Sequence, residues 1–145
     1  MKLAILYLVI IGLLLTGMSY VYQLMPPAYT AEDNQFAHEE AQRLLREMEQ
    51  IQQEATNLDG TVKPLRADVY LVGQERFIRE KQATVHYKRE LAEDFTYACA
   101  LAEGWCRYAA AALLRGGSAD QESAEAFYRK ARQELQTIAG KEYDK

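Results

Sequence analysis

The sequence predicts an all-α protein in which a single N-terminal transmembrane helix precedes a small alanine-rich helical bundle or hairpin domain of three to four helices. The first observation is a 23-residue stretch, 3–25, that carries no charged side chain. About 20 apolar residues suffice to cross a bilayer as a helix. The second observation is that apolar residues beyond this stretch recur at steps of three and four, the spacing that places side chains on one face of a helix.

The first domain, residues 1–29, is predicted to be the transmembrane anchor and its Pro-Pro linker. The anchor ends in residues suited to the membrane interface, because an aromatic ring lies well at headgroup level and a proline ends the helix. These residues are Tyr20, Tyr22, Pro26 and Pro27. A cleaved signal peptide is the alternative, since Lys2 gives a basic start, but the chain stays apolar and aromatic after the possible cleavage site at 17–19. The sequence therefore favours a retained anchor that contacts membrane lipid.

Charged residues on either side of the anchor predict its orientation. Lys2 precedes it, whereas Glu32 and Asp33 follow it and the first basic residue on that side is Arg43. Basic residues stay on the cytoplasmic side. The prediction is a single-pass protein of the inner or plasma membrane, with a cytoplasmic N-terminus and an extracytoplasmic C-terminal domain.

The two cysteines, Cys99 and Cys106, argue against that orientation. On one continuous helix their Cα atoms would lie about 10 Å apart, which exceeds the reach of a disulfide at about 7 Å. They are predicted to be buried and unpaired, and unpaired cysteines are typical of a reducing compartment.

The second domain, residues 30–145, is predicted to be a helical soluble domain. Its helices are expected at about 31–58, 64–90 with a break near 73, 87–115 and 119–139. Thr30 is the expected N-cap of the first of these, with Asp33 at the third helical position. Apolar residues then follow a heptad seam, which is the spacing of helices that pack along their length. The seam comprises Ala41, Leu44, Met48, Ile51, Ala55 and Leu58.

The predicted break rests on a change of apolar face near Gly73. Leu65, Val69 and Val72 share one face, but apolar positions resume one residue out of phase at Phe77. One residue is about 100° of rotation around a helix, so a kink, bulge or break is expected. A short strand at 68–72 is the alternative.

The final two helices are expected to meet at a Gly-Gly turn, 116–117. The first of them is apolar over much of its girth and is therefore expected to be the most buried. Ser118, with Gln121 three residues later, is the expected capping box of the last helix.

The core of this domain is expected to be thin. Among the 120 residues after Met25, 20 are alanine and only 25 are larger aliphatic, sulfur-containing, Phe or Trp residues. Burial stabilises by about 25 cal/mol per Å² of apolar surface, and alanine has little to bury. We therefore expect a protein partner or a second copy to complete the domain.

Charge is unevenly distributed along the domain. Residues 32–60 carry eight acids against two arginines, whereas residues 61–90 carry seven bases against four acids. The basic segment is either a patch for lipid or nucleic acid or a helix that faces the acidic one. Nucleic-acid binders usually cluster their bases on one face, and here acids interrupt the bases, so the second interpretation is favoured and no nucleic-acid partner is predicted.

Motifs for chemistry are absent from the sequence. His86 has Glu90 one turn later, but the Glu-x-x-His pairs of helical di-metal sites are missing. There is no phosphate-binding loop, CxxCH or CxxC pattern. We predict no catalytic, metal or cofactor residue, no small-molecule substrate, and no enzymatic activity.

The expected function is that of a single-pass, membrane-anchored helical interaction or scaffold protein, an accessory subunit of a membrane or envelope complex. Its candidate interaction surface comprises Leu44, Met48, Ile51, Trp105 and Tyr108. One alternative is a phage inner-membrane spanin-like lysis protein, which shares an N-terminal anchor and an outward helical stalk. Another is a metal- or haem-binding helical-bundle enzyme.

Overall fold

A computed structural model describes residues 10–14, 28–56 and 66–144. These residues form no strand, and the all-α class is confirmed. Besides the short helical piece at 10–14, the described elements are α1 (Ala31–Thr56), α2 (Arg66–Ala83), a 3₁₀ turn (Thr84–His86), α3 (Arg89–Arg115) and α4 (Ser118–Gly140).

Helices α1 to α4 pack as a four-helix bundle. Both α1 and α3 pack against α2 and α4, which closes the ring of neighbours typical of this architecture. The side chain of Lys88, just before α3, meets Asp33 at the start of α1. The opposite end of α1 meets the start of α2, where Arg66 donates to the carbonyl of Ala55. Consecutive helices therefore run antiparallel.

The described helices include none that is both long and apolar enough for a membrane span. The predicted anchor, 1–29, lies outside the described residues except for 10–14 and 28–29. The four predicted interface residues, Tyr20, Tyr22, Pro26 and Pro27, also lie outside them.

The predicted seam of α1 is its buried face, apart from Leu58, which lies outside the described residues. Ala41, Leu44, Met48, Ile51 and Ala55 are all buried, and Ala37 extends the stripe by one turn. The expectation for α3 is also confirmed, because it contributes more buried residues than any other described helix. Tight packing against small side chains allows the helices to approach closely and gain dispersion contacts.

The predicted break near Gly73 is wrong. Helix α2 runs unbroken through this residue, and its buried face is Ala67, Tyr70, Gly73 and Phe77. Gly73 is a core position because a Cβ placed there would lie 2.8 Å from Ile51 Cδ1 and 3.1 Å from Cys106 Sγ. A glycine in the core has no side chain, so the spacing of apolar residues does not reveal it. The prediction placed its neighbour Val72 on the buried face instead, and Val72 is 49 % exposed.

The interruption lies instead between Ala83 and Arg89, so the predicted 64–90 helix ends early. The buried Thr84 starts a 3₁₀ turn, and its hydroxyl lies 2.7 Å from the carbonyl of Lys81 and 2.6 Å from the hydroxyl of Thr96. Tyr87 is then extended, with ψ 160°. Local side-chain hydrogen bonds of this kind compete with a continuing helix.

Thr30 caps the start of α1, as predicted, and Asp33 returns the hydrogen bond to it. Asp33 accepts hydrogen bonds from the backbone and hydroxyl of Thr30 at 2.7 and 2.9 Å, and its own N–H donates to Thr30 Oγ1. Lys88 Nζ lies 2.6 Å from the same carboxylate. The hydrogen bond from Lys88, followed by those from Thr30, lowers the pKa of Asp33 from its ordinary 3.8 to about 2.

We expect the stability that Asp33 contributes to be lost in acid. A carboxylate whose folded pKa is lowered stabilises fully above its unfolded pKa, near pH 4, and loses that contribution as pH falls through about 2. The difference in Tm between the wild type and Asp33→Asn should therefore be full above about pH 4 and vanish near pH 2. A difference that stayed constant across this range would show that the carboxylate charge plays no part.

The turn between α3 and α4 consists of two glycines. Gly116 adopts φ 71° and ends α3. Most residues are strained in this left-handed conformation, but glycine adopts it easily because it has no Cβ. The predicted Ser118 capping box is wrong, because Gly117 is the N-cap and no side chain caps α4. Gln121 donates to Glu125 instead.

Opposite charges face each other across α1 and α2. Arg43 on α1 pairs with Glu80 on α2 at 2.8 Å, and Arg76 on α2 pairs with Glu47 on α1 at 3.2 Å. These pairs support the interpretation that the basic segment faces the acidic one. Because they are partly exposed, each contributes about 1 kcal/mol or less.

Candidate functional site

An open groove of about 490 Å³ lies where the C-terminal ends of α1 and α3 meet the first half of α4 and the start of α2. It exists because small side chains occupy the positions where the helices would otherwise fill the space. These are Ala55, Ala109, Ala112 and Ala124. This volume is in the usual range of ligand-binding cavities, about 300–1,000 Å³.

Three aromatic rings from three helices form the floor of the groove. Trp105 on α3 meets Tyr70 on α2 edge to face, with ring centroids 5.6 Å apart, and Tyr128 on α4 at 4.9 Å. Such pairs contribute about 0.5–1.5 kcal/mol beyond their burial. Burial raises the pKa of both tyrosines, so their hydroxyls stay protonated at neutral pH. The floor is therefore aromatic and uncharged.

The rim of the groove is polar and carries one charge of each sign. Gln52 lies on α1, and Gln121, Glu125 and Arg129 lie on α4. The amide of Gln121 donates to Glu125 at 3.4 Å. Arg129 is exposed and makes no ion pair with any described residue. The rim thus offers a guanidinium that forms no ion pair with a described residue, one turn from the carboxylate of Glu125.

Most of the predicted interaction surface lies in the core. Leu44, Met48 and Ile51 are buried within the bundle, so the prediction that they form a surface is wrong. The physical reason is that α2 and α4 of the same chain complete the heptad seam. Trp105 is also 3 % exposed, but it forms the groove floor.

Tyr108, the last of these residues, lies beside the groove rather than in its lining. It is half-buried, and its ring stacks on Phe127 at 5.4 Å with an interplanar angle of 13°. The guanidinium of Arg107 lies 5.2 Å from the same ring. Glu103, also on α3, pairs with Lys81 on α2 at 2.6 Å.

Sequence reasoning missed Tyr70, Tyr128 and Arg129. They come from different helices, or from different faces of α4, and no spacing along the chain connects them. The only signal in the sequence is that Trp105, their neighbour in the structure, belongs to the predicted interaction surface.

Candidates for covalent or metal chemistry are weak in the described part of the chain. No three His, Cys, Asp or Glu side chains there are grouped as metal ligands. Both cysteines are unpaired and buried, as predicted. Burial raises the pKa of Cys99 and of Cys106 to about 12, so each thiol is protonated and a poor nucleophile.

The opposite end of the bundle holds the C-terminal tail, residues 141–144. The ring of Tyr143, 2 % exposed, packs against Tyr29 with centroids 5.3 Å apart, and its hydroxyl donates to Asp94 at 2.7 Å. Its backbone N–H donates to Asn34. Lys141 pairs with Asp94 and with Glu90. The tail therefore fastens the starts of α1 and α3 together.

No family model, curated protein or solved structure matches this chain.

Proposed function

We propose that the protein is a membrane-anchored docking subunit, which binds a segment of a partner protein in the groove and forms part of a membrane or envelope complex. The observation that carries this proposal is the aromatic-floored groove with an exposed arginine, Arg129, on its rim. Buried aromatic residues and arginine are the residue types that dominate protein interfaces.

The geometry suits a tether. The uncharged stretch 3–25 precedes α1 in the sequence, whereas the groove lies at the far end of this helix. With 26 residues, α1 is about 39 Å long at 1.5 Å per residue. An anchor before α1 would therefore allow the groove to lie as far as about 40 Å from the membrane surface, within reach of another membrane protein's extramembrane domain.

The groove lining favours binding over catalysis. Its ionisable groups are the carboxylate of Glu125, the guanidinium of Arg129 and two protonated tyrosines. A nucleophile next to a general base, the arrangement that covalent catalysis requires, is missing from these lining residues. The spanin-like alternative depended on an extended stalk, and the described helices instead fold back on one another.

Filling the groove tests the proposal. We expect Ala112→Phe, which places a ring in the groove, to abolish crosslinking of the partner to a photoreactive residue at position 121 in native membranes. Ala111→Phe is the matched control, since Ala111 is also half-buried on α3 but does not line the groove. Circular dichroism and Tm establish that both variants fold.

A crosslinked product of unchanged yield in Ala112→Phe would refute docking in the groove. Equal loss in both variants would also refute it, because the effect would then come from helix α3 as a whole. Deletion of residues 1–25 is expected to release the protein from the membrane fraction, and retention there would contradict the anchor.

A further inference from the structure

The floor of the groove follows α3 for about two turns. It runs from Trp105 through Ala109 to Ala112 and the half-exposed Leu113. Seven residues separate Trp105 from Ala112, which is about 10 Å along the helix axis. Residues three or four apart on a partner helix are about 5–6 Å apart. The floor is therefore long enough for two anchoring side chains that lie one turn apart.

The walls favour a helical partner segment over an extended one. An extended segment needs outside partners for its backbone N–H and C=O groups, and the described bundle offers no strand edge with which to pair. The polar side chains of the groove lie on its rim and not along its floor, and Thr56 already donates its hydroxyl to the carbonyl of Gln52. A helix satisfies its own backbone and needs only an apolar face, which is the helix-in-groove mode of recognition.

Charge selects the polar residue of that partner. Glu125 and Arg129 both lie on the rim, and neither forms an ion pair with a described residue. Glu125 accepts a hydrogen bond from the amide of Gln121, whereas no described side chain binds the guanidinium of Arg129. Arginine binds a carboxylate through two parallel hydrogen bonds, so an acidic side chain beside the apolar anchors would pair with Arg129.

We infer that the docking partner presents an amphipathic helix, with two apolar side chains one turn apart on the floor between Trp105 and Ala112 and an Asp or Glu that pairs with Arg129. This inference rests on the proposed function, since it names the class of segment that the groove accepts. A second copy of this chain is the competing occupant, and it is distinguished by the experiment below.

The test uses the full chain in detergent and two randomised peptide libraries, one built on a helical scaffold and one on an extended proline-containing scaffold. Peptides are selected on the wild type after depletion on Ala112→Phe, in the same detergent. Trp105 is the single tryptophan, so its emission reports directly on occupancy of the floor. We expect enrichment from the helical library alone, with two apolar residues and one acidic residue on a shared face.

A charge swap then tests the pairing. Arg129→Glu should weaken the binding of the selected peptides about tenfold. Replacing the acidic residue of the peptide by lysine should restore the affinity for this variant. Lys130→Glu is the matched control, because Lys130 is also exposed, adjoins Arg129 and does not line the groove. It should leave the affinity unchanged.

The outcomes separate the inference from the function on which it rests. Two results would overturn the inference and leave groove docking intact. In the first, the peptides need an open groove but their affinity does not depend on the charge at position 129. In the second, the peptides come from the extended library. Failure of every peptide to distinguish the wild type from Ala112→Phe would overturn both. A wild type that dimerises through the groove, with Ala112→Phe monomeric, would make the second copy the occupant and overturn the inference alone.

Discussion

Replacing Phe77 by alanine is expected to lower the free energy of unfolding by about 3–5 kcal/mol, the range measured for fully buried phenylalanines. Phe77 on α2 is 0 % exposed and belongs to the main core cluster. The cost combines lost apolar transfer with the cavity that remains, and the tightly packed neighbours cannot collapse to fill it. Since small domains have only about 5–15 kcal/mol of stability, this variant should unfold at markedly lower urea concentration.

Leu71→Ala is the control for Phe77→Ala. Leu71 lies on the same helix but is 42 % exposed, so its truncation should cost about 1 kcal/mol or less, mostly from the smaller burial that it loses. Urea titration of the full chain, followed by circular dichroism, measures both. Equal losses for the two variants would mean that α2 is not docked on the core as described.

Gly104→Leu is expected to destabilise the protein by about 2–3 kcal/mol through overpacking. A Cβ at this position would lie 2.9 Å from both Cδ1 and Cε1 of Phe127 on α4. The obstacle is a rigid ring, which also stacks on Tyr108, so it cannot move aside as a flexible side chain would. Replacing a glycine in a helix interior stabilises the helix by only about 0.5–1 kcal/mol, which is less than the expected cost of the clash.

Two further variants identify the cause of that loss. Gly140→Leu should be close to neutral, because nothing lies within 4 Å of a Cβ placed at Gly140. Combining Gly104→Leu with Phe127→Ala should recover part of the stability, which a double-mutant cycle would detect as a coupling energy. Additive losses in the double variant would contradict a clash between these two residues.

The sequence predicted the fold correctly where a regular spacing of apolar residues, or one residue at a helix end, determines the local structure. Three such features are local, and each follows from spacing or from the chemistry of a single residue. They are the stripe from Ala41 to Ala55, the N-cap Thr30 with Asp33, and the Gly-Gly turn. The register of α2 was not accessible in this way, because Gly73 acts as a core residue through close helix approach rather than through its own apolar surface.

The candidate site was accessible only in part. Trp105 was predicted to belong to an interaction surface, but Tyr70, Tyr128 and Arg129 join it in the groove only through tertiary packing. The same limitation explains why Leu44 and Met48 were assigned to a surface. A heptad seam indicates that a helix packs along one face. It does not indicate whether the helix that it packs against belongs to the same chain or to another.

The two-glycine turn at Gly116–Gly117 also shapes the order of folding. Helices α3 and α4 are neighbours in sequence and need almost no loop closure, so their hairpin forms from local contacts, which favour fast folding. Helix α1 reaches α4 only after the chain has closed across more than sixty residues, an entropic cost that must be met before the contact stabilises anything. During synthesis α4 emerges after the other three of these helices, and until then the side of α1 that faces α4 stays uncovered.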